Sequence, residues 1–303
     1  LYPLDEIRKY ITDARMLALL SKPASWNKLT SSLDTIDDNG KAIEAFLGID
    51  LPDAAGSNYL LIYGVLQALV VQQDAVKHLY DSLNYDYDRH PSLWKIRGIR
   101  DAAIGHPTER DKGNKNSDKK ESNSMAPFNK NVFQLMTTYP DGRPPSFQNV
   151  NIPEIIAKQR TIVEQDVLEI IKKLKQGERE HREMFKEQKL KNIFQGTSYN
   201  IQKIYESIRA NRPNKFGEGH VDMVIKVIAD FRKSLEDRGI LKNYNSINDL
   251  DYPLNELKIY FQNPDQSKLN EEDAIIFTFF IEHNLKIQRQ NAIEIDEKYE
   301  AAV

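Results

Sequence analysis

From Asn58 to Leu83 the sequence is apolar on more than one helical face: Leu60, Leu61, Tyr63, Leu66, Leu69, Val70, Val76, Leu79 and Tyr80 together cover most of a helix circumference. A helix of that kind must be enclosed by neighbouring helices or by a partner chain. Burying about ten such side chains contributes ~1.5–3 kcal/mol each, set against the entropy of ordering the chain. The segment therefore predicts the centre of an α-helical bundle. Its longest apolar run, 59–71, contains Gly64 and Gln67 and falls short of the ~18 residues expected of a membrane span. No membrane partner is expected.

The flanking sequence predicts what encloses this helix. Residues 4–21 carry Ile7, Ile11, Ala14, Leu17 and Ala18 on one helical side, and Pro23 ends the pattern. Residues 24–40 predict a short helix and a turn at Asp38-Asn39-Gly40, followed by a helix from Lys41 to Leu47. The run 109–124, ERDKGNKNSDKKESNS, contains no apolar side chain and its charges nearly cancel; it predicts a solvated loop, with a lid or RNA-contacting loop as the sharper alternative. Around Pro140-Asp141-Gly142 the apolar and β-branched residues shift to short runs, which predicts a β-hairpin or extended arm. Pro153 opens a long helix with a stripe of Ile155, Ile156, Ile162, Val163, Val167, Ile170, Ile171 and Leu174. Beyond Gln176 this helix continues into a highly charged stretch. A second helical domain is expected from Gly196, giving domains of 1–195 and 196–303. Its helices are Tyr199–Arg209, a stripe from Val221 to Leu235 closed by Gly239, and a helix started by Asn270 with Glu271, Glu272 and Asp273. The fold class is mainly α, with a small β arm.

Composition narrows the chemistry. The chain has 42 Lys and Arg against 45 Asp and Glu, a net charge of −3. That excludes a generic nucleic-acid coat, which is basic, and leaves room for an enzyme that grips RNA in one cleft. There is no cysteine, hence no disulfide, thiol nucleophile or zinc-thiolate site. The opening LYPLDEIRKYI has acids from position 5 and no apolar leader segment, so a cytoplasmic location is the simplest reading. No HExxH, Walker loop, GxGxxG or GxSxG occurs, so no metal or cofactor is expected.

The chemistry-bearing stretch is LWKIRGIRDAAIGHPTER, 93–110. Ile96, Ile99, Ala103 and Ile104 give it one apolar helical face. Gly105 and Pro107 bracket His106 and predict the helix end there. Arg100 and His106 are six residues apart, ~240° and ~9 Å along a straight helix. Sharing a cleft therefore requires a bent helix end or a second copy of the helix across a dimer axis. The pair supplies what phosphodiester cleavage needs: a permanent cation with a bidentate fork for phosphate, and a group that trades protons near neutral pH. Arg97 is either a second phosphate contact or the i,i+4 ion-pair partner of Asp101, and the ion pair is favoured. Tyr80, Tyr85 and Tyr87 flank the entry to the motif, as packing residues in preference to base-stacking ones.

Arg100-Asp101-x-x-x-Gly105-His106, preceded by a long apolar helix and followed by Pro107-Thr108 and a second long helix, resembles the Arg-x(4–6)-His signature of HEPN domains. The resemblance covers roughly residues 1–195 and does not extend to 196–303. It implies a small α-helical bundle that forms a homodimer, here through the 58–106 helices. It also implies a metal-independent endoribonuclease of the kind found in toxin, antiphage and RNA-processing systems. RNA is then a partner, and an antitoxin or regulatory protein has a place beside it. The roles carried over are Arg100 as phosphate stabiliser, His106 as proton carrier and Asp101 as the group orienting one of them, with Arg97 and Arg110 binding substrate. Other members are non-catalytic, so the same bundle also fits a scaffold for dimerisation, nucleotide or protein binding.

Overall fold

The computed structural model describes residues 2–12, 16, 20, 22–50, 55–107, 121–210 and 215–301. It is mainly helical with one small three-stranded antiparallel sheet. The chain divides into two compact units: Leu1–Lys9 with Leu20–Lys173, and Tyr10–Leu19 with Leu174–Val303.

Helix α1 is Leu4–Ile11, assigned to the first unit as far as Lys9; in the first unit α2 is Pro23–Gly48 and α3 is Ala55–Ser82. The predicted turn at Asp38-Asn39-Gly40 is absent, because α2 runs straight through it. Leu29, Leu33, Ile36, Gly40, Ile43 and Phe46 form one buried face, and that packing overrides the local turn preference of Asn-Gly. Asn39 stays in the helix by donating from Nδ2 to the Thr35 carbonyl at 2.8 Å.

α3 is the expected core helix, with Ile62, Leu66, Leu69 and Leu79 fully buried. It is not enclosed all round: Leu60 is 74% exposed and Tyr63 41%. Among the described residues it is also the one helix long and apolar enough to cross a membrane; 56% of the relevant window is buried inside the first unit's structure. Such burial is what the core helix of a bundle requires.

α4 (Pro91–Arg100) packs Leu93 and Ile96 against α3, and Ala102 and Ala103 follow into the same core. The sheet orders β1 (Ser122–Pro127), β2 (Val132–Thr138) and β3 (Ser146–Asn151) in sequence. The β2–β3 hairpin turns where the Pro-Asp-Gly signal predicts, with Gly142 at φ 77°. Phe133, Leu135 and Val150 point from it into the core. β1 was not expected. It recruits the end of the charged run into the ladder, pairing Ser122 with Thr138 and Pro127 with Phe133. The rest of that run, 109–120, lies outside the described residues.

α5 is a single helix, Ile152–Phe185. The division between units falls within it, after Lys173, earlier than the boundary expected at Gly196. The physical reason is that Leu190 and Phe194, placed by sequence in the first domain, pack into the second unit's core.

In the second unit α6 (Thr197–Arg209), α7 (Lys215–Asp237), α8 (Asp251–Gln262) and α9 (Glu271–Glu300) surround Val224, Phe231, Leu257 and Ile281. The Asn270 start signal is a complete capping box: its side chain accepts from the Asp273 amide at 2.9 Å, and Asp273 accepts from the Asn270 amide. Each removes an orphan donor at the helix start.

Candidate functional site

The site is built where α4 ends. Pro91 occupies the first helical turn, where its missing N–H costs nothing, and His90 caps the helix by accepting from the Ser92 amide at 3.1 Å. Leu93 and Ile96 fix the helix against the core. Arg97 and Arg100, four and seven residues after Leu93, share this face one turn apart, and both side chains are mostly buried.

The sequence predicts a helix stop near Gly105. What the structure has there is a π turn, Asp101–Gly105, in which the His106 amide donates to the Asp101 carbonyl at 2.8 Å. This i→i−5 closure is wider than an α turn, and such turns recur at functional sites. His106 then leaves the helix with φ −142° and ψ 61°, outside the helical region, and is exposed.

Arg100 lies back along this turn. Its Nη1 is 2.9 Å from Asp101 Oδ1. A Cβ added at Gly105 would sit 3.1 Å from that same Nη1 and 3.4 Å from Asp101 Oδ1. Thus the guanidinium rests against the residue immediately before His106, which a larger residue at 105 would obstruct. The Arg100 side chain is 20% exposed and that of Asp101 39%. Arg100 Nε is buried with no hydrogen-bond partner. A buried donor left unmade carries a penalty of ~1–3 kcal/mol, which donation from this N–H to an anion's oxygen would relieve.

Arg97 is placed differently from the expectation that favoured Asp101. It makes a two-point contact with Asp74 of α3, Nη1–Oδ1 at 2.8 Å and Nη2–Oδ2 at 3.2 Å. Arg89 joins the same carboxylate at 2.9 Å and lies over the Trp94 ring at 4.8 Å. The planar fork of Arg97 fits a carboxylate across two bonds, which the short i,i+4 reach to Asp101 does not offer. Arg97 is therefore tied to the scaffold. Arg110, the other expected substrate contact, lies outside the described residues.

Two neighbours escape sequence reading. Asp74 is one acid in a helix whose signal is apolar. Asn123, at the start of β1, donates its amide to the Pro107 carbonyl at 2.5 Å, and its side chain accepts from Thr137 Oγ1 at 2.9 Å. Its Nδ2 is buried without a partner. A contact made through strand pairing has no local sequence signal. Close by, the tyrosines pack as expected: Tyr80 and Tyr87 rings are 4.8 Å apart, and both hydroxyls donate to Asp166, at its carbonyl and at Oδ2. Burial pushes the Asp166 carboxyl up to about 6. Among the described residues, no group of three or more acidic or histidine side chains is placed to hold a metal. No family model, curated protein or solved structure matches this chain.

Proposed function

We propose that the first unit is a metal-independent endoribonuclease of the HEPN type, acting as a homodimer in the cytoplasm, in the setting of a toxin or antiphage system. The observation that carries this reading is the π turn, with a guanidinium packed on Gly105 beside an exposed His106. In the proposed reaction the substrate's 2′-oxygen attacks its own phosphorus while the bond to the 5′-oxygen breaks. His106 takes the 2′-hydroxyl proton, and a protonated His106, that of a second copy in the dimer, returns one to the departing 5′-oxygen. Arg100 stabilises the charge that builds on the phosphate oxygens, and Asp101 holds the guanidinium in place. Exposed Leu60, Tyr63 and Trp94, the last 58% exposed, support pairing of two copies along α3 and α4.

A second reading, a non-catalytic dimerisation or ligand-binding scaffold, draws support from the Arg100–Asp101 pair, whose guanidinium is mostly buried and already engaged. Purified protein incubated with total RNA in EDTA separates the two. The enzyme reading expects cleavage by the unaltered chain and none by His106→Ala; equal patterns from both, or intact RNA in both, favour the scaffold.

A further inference from the structure

A separate cavity of about 120 Å³ opens in the first unit, among Tyr2, α2, α3 and α5. Its construction is unlike an ordinary packing defect. One wall is apolar: Ile43, Leu69 and Ile156. The floor is made of two glutamine amides, Gln72 and Gln159, both fully buried. Gln159 Nε2 donates to the Leu69 carbonyl at 2.9 Å and to Gln72 Oε1 at 3.0 Å, while Gln72 Nε2 donates to the Ile36 carbonyl at 3.2 Å. Behind them Gln73 donates to Gln159 Oε1 at 2.7 Å, and its own Oε1 is buried without a partner. Burying three amides in a bundle core is costly where apolar residues would pack as well, so the row is a floor with polar work to do.

The mouth carries both signs of charge. Arg160 pairs with Glu44, and Glu164 stands one helical turn beyond Arg160 on α5 with no ion-pair partner among the described residues. All three charges act on the Tyr2 phenol, which burial pushes up to about 12; Tyr2 is therefore a neutral donor at physiological pH. Its bond to Gln72 Oε1 is 3.5 Å, at the outer limit of a hydrogen bond, so the hydroxyl is available to a ligand acceptor.

An anion alone would face two carboxylates here, and a cation alone would face a guanidinium. A molecule with both charges on adjacent atoms meets neither conflict. Its carboxylate would take the open edge of Arg160 and the Tyr2 hydroxyl, its ammonium Glu164, and its side chain the apolar wall. A cavity of this size, judged against the ~150 Å³ that holds the six carbons of benzene, encloses about five non-hydrogen atoms, and the remaining atoms of a small ligand would lie in its open mouth. We propose that this cavity binds a free, small α-amino acid. The inference stands apart from Arg100 and His106.

The test is calorimetric titration of the full chain with alanine, serine, valine and leucine, each beside its amide and its N-acetyl derivative. At least one zwitterion should bind with an affinity on the order of 1 mM or tighter, and both singly charged analogues should bind about ten-fold more weakly. Arg160→Gln should abolish binding. Tyr2→Phe, a milder change, should weaken it about three- to ten-fold and guards against a misfolded first variant. No heat from any zwitterion at concentrations on the order of 10 mM would overturn the proposal, as would equal affinity for the amide or N-acetyl forms, or binding unchanged in Tyr2→Phe.

Discussion

The two units put their buried polar groups to different uses. In the second, they serve local structural ends, although Arg232 Nε and Arg238 Nε go without a hydrogen-bond partner. Asp296 accepts the amides of Leu190 and Lys191 at 2.8 and 2.9 Å and so anchors a short 3-10 turn. His220 meets Asn200 at 2.9 Å and is held low by burial. Arg238 lies over the rings of Phe185 and Tyr299 and donates to the Ser234 and Gln188 carbonyls. In the first unit the unpaired buried atoms are Gln73 Oε1, Arg89 Nε, Arg100 Nε and Asn123 Nδ2, and two of these residues, Arg100 and Asn123, flank the turn that carries His106. The contrast is sharpest within α4. Arg97 is saturated by Asp74, whereas Arg100, one turn later, keeps an unused donor beside an exposed histidine. Chemistry is expected where a leftover donor lies beside an exposed proton carrier, and scaffold elsewhere.

Each half of that contrast can be broken. The largest stability loss is expected in the second unit: Asp296→Ala removes a charged acceptor from two buried amides, at about 3 kcal/mol in denaturant unfolding, with RNA cleavage retained. A loss below about 1 kcal/mol would show that Asp296 is not structural. Asp74→Ala strands Arg89 and Arg97 together. Because Asp74 is itself 40% exposed, solvent screening limits the cost to about 2 kcal/mol, below that of a fully buried pair.

Asp166 supplies a test of opposite sign. Its carboxyl is raised from 3.8 to about 6 in the folded chain, so the folded state holds the proton more tightly than the unfolded one. The stability this contributes is present below pH 3.8 and is lost as pH rises through about 6. Asp166→Asn keeps an acceptor for Tyr87 and carries no charge. It should therefore stabilise the protein by about 1 kcal/mol at pH 7.5, after discounting for partial exposure, and by nothing near pH 4. A gain of equal size at both pH values would assign the effect to packing. The smallest stability effect belongs to Gly105→Ala. The new Cβ crowds the far end of a flexible arginine and touches the Asp101 side chain at ordinary contact distance, so unfolding should shift by less than about 1 kcal/mol. Cleavage should fall about ten-fold as the guanidinium is displaced; unchanged cleavage would mean its position there is unimportant.

Much of the fold is legible in sequence because its signals are local. The Asn270 capping box, the Pro-Asp-Gly hairpin and the α5 stripe each announce themselves within a few residues. Where sequence reading departs from the structure, long-range packing decides. Asp38-Asn39-Gly40 has the chemistry of a turn, yet its flanking residues share a buried face with the rest of α2. Arg97 has an acid at i+4, yet a better-shaped partner sits on α3. The site is half legible. Arg100 and His106 stand out by residue type and by the glycine and proline that end the helix. The wide turn joining them depends on one backbone bond, from His106 to Asp101, and Asn123 reaches Pro107 only through the sheet.

The central claim is that Arg100 and His106 act as one unit. The most direct measurement is the initial rate of RNA cleavage in EDTA by Arg100→Ala, His106→Ala and the double variant. Each single change should cost about 10²–10⁴-fold, and the double variant should be no slower than the worse single one. Losses that multiply in the double variant, or wild-type rates in either single variant, would contradict it.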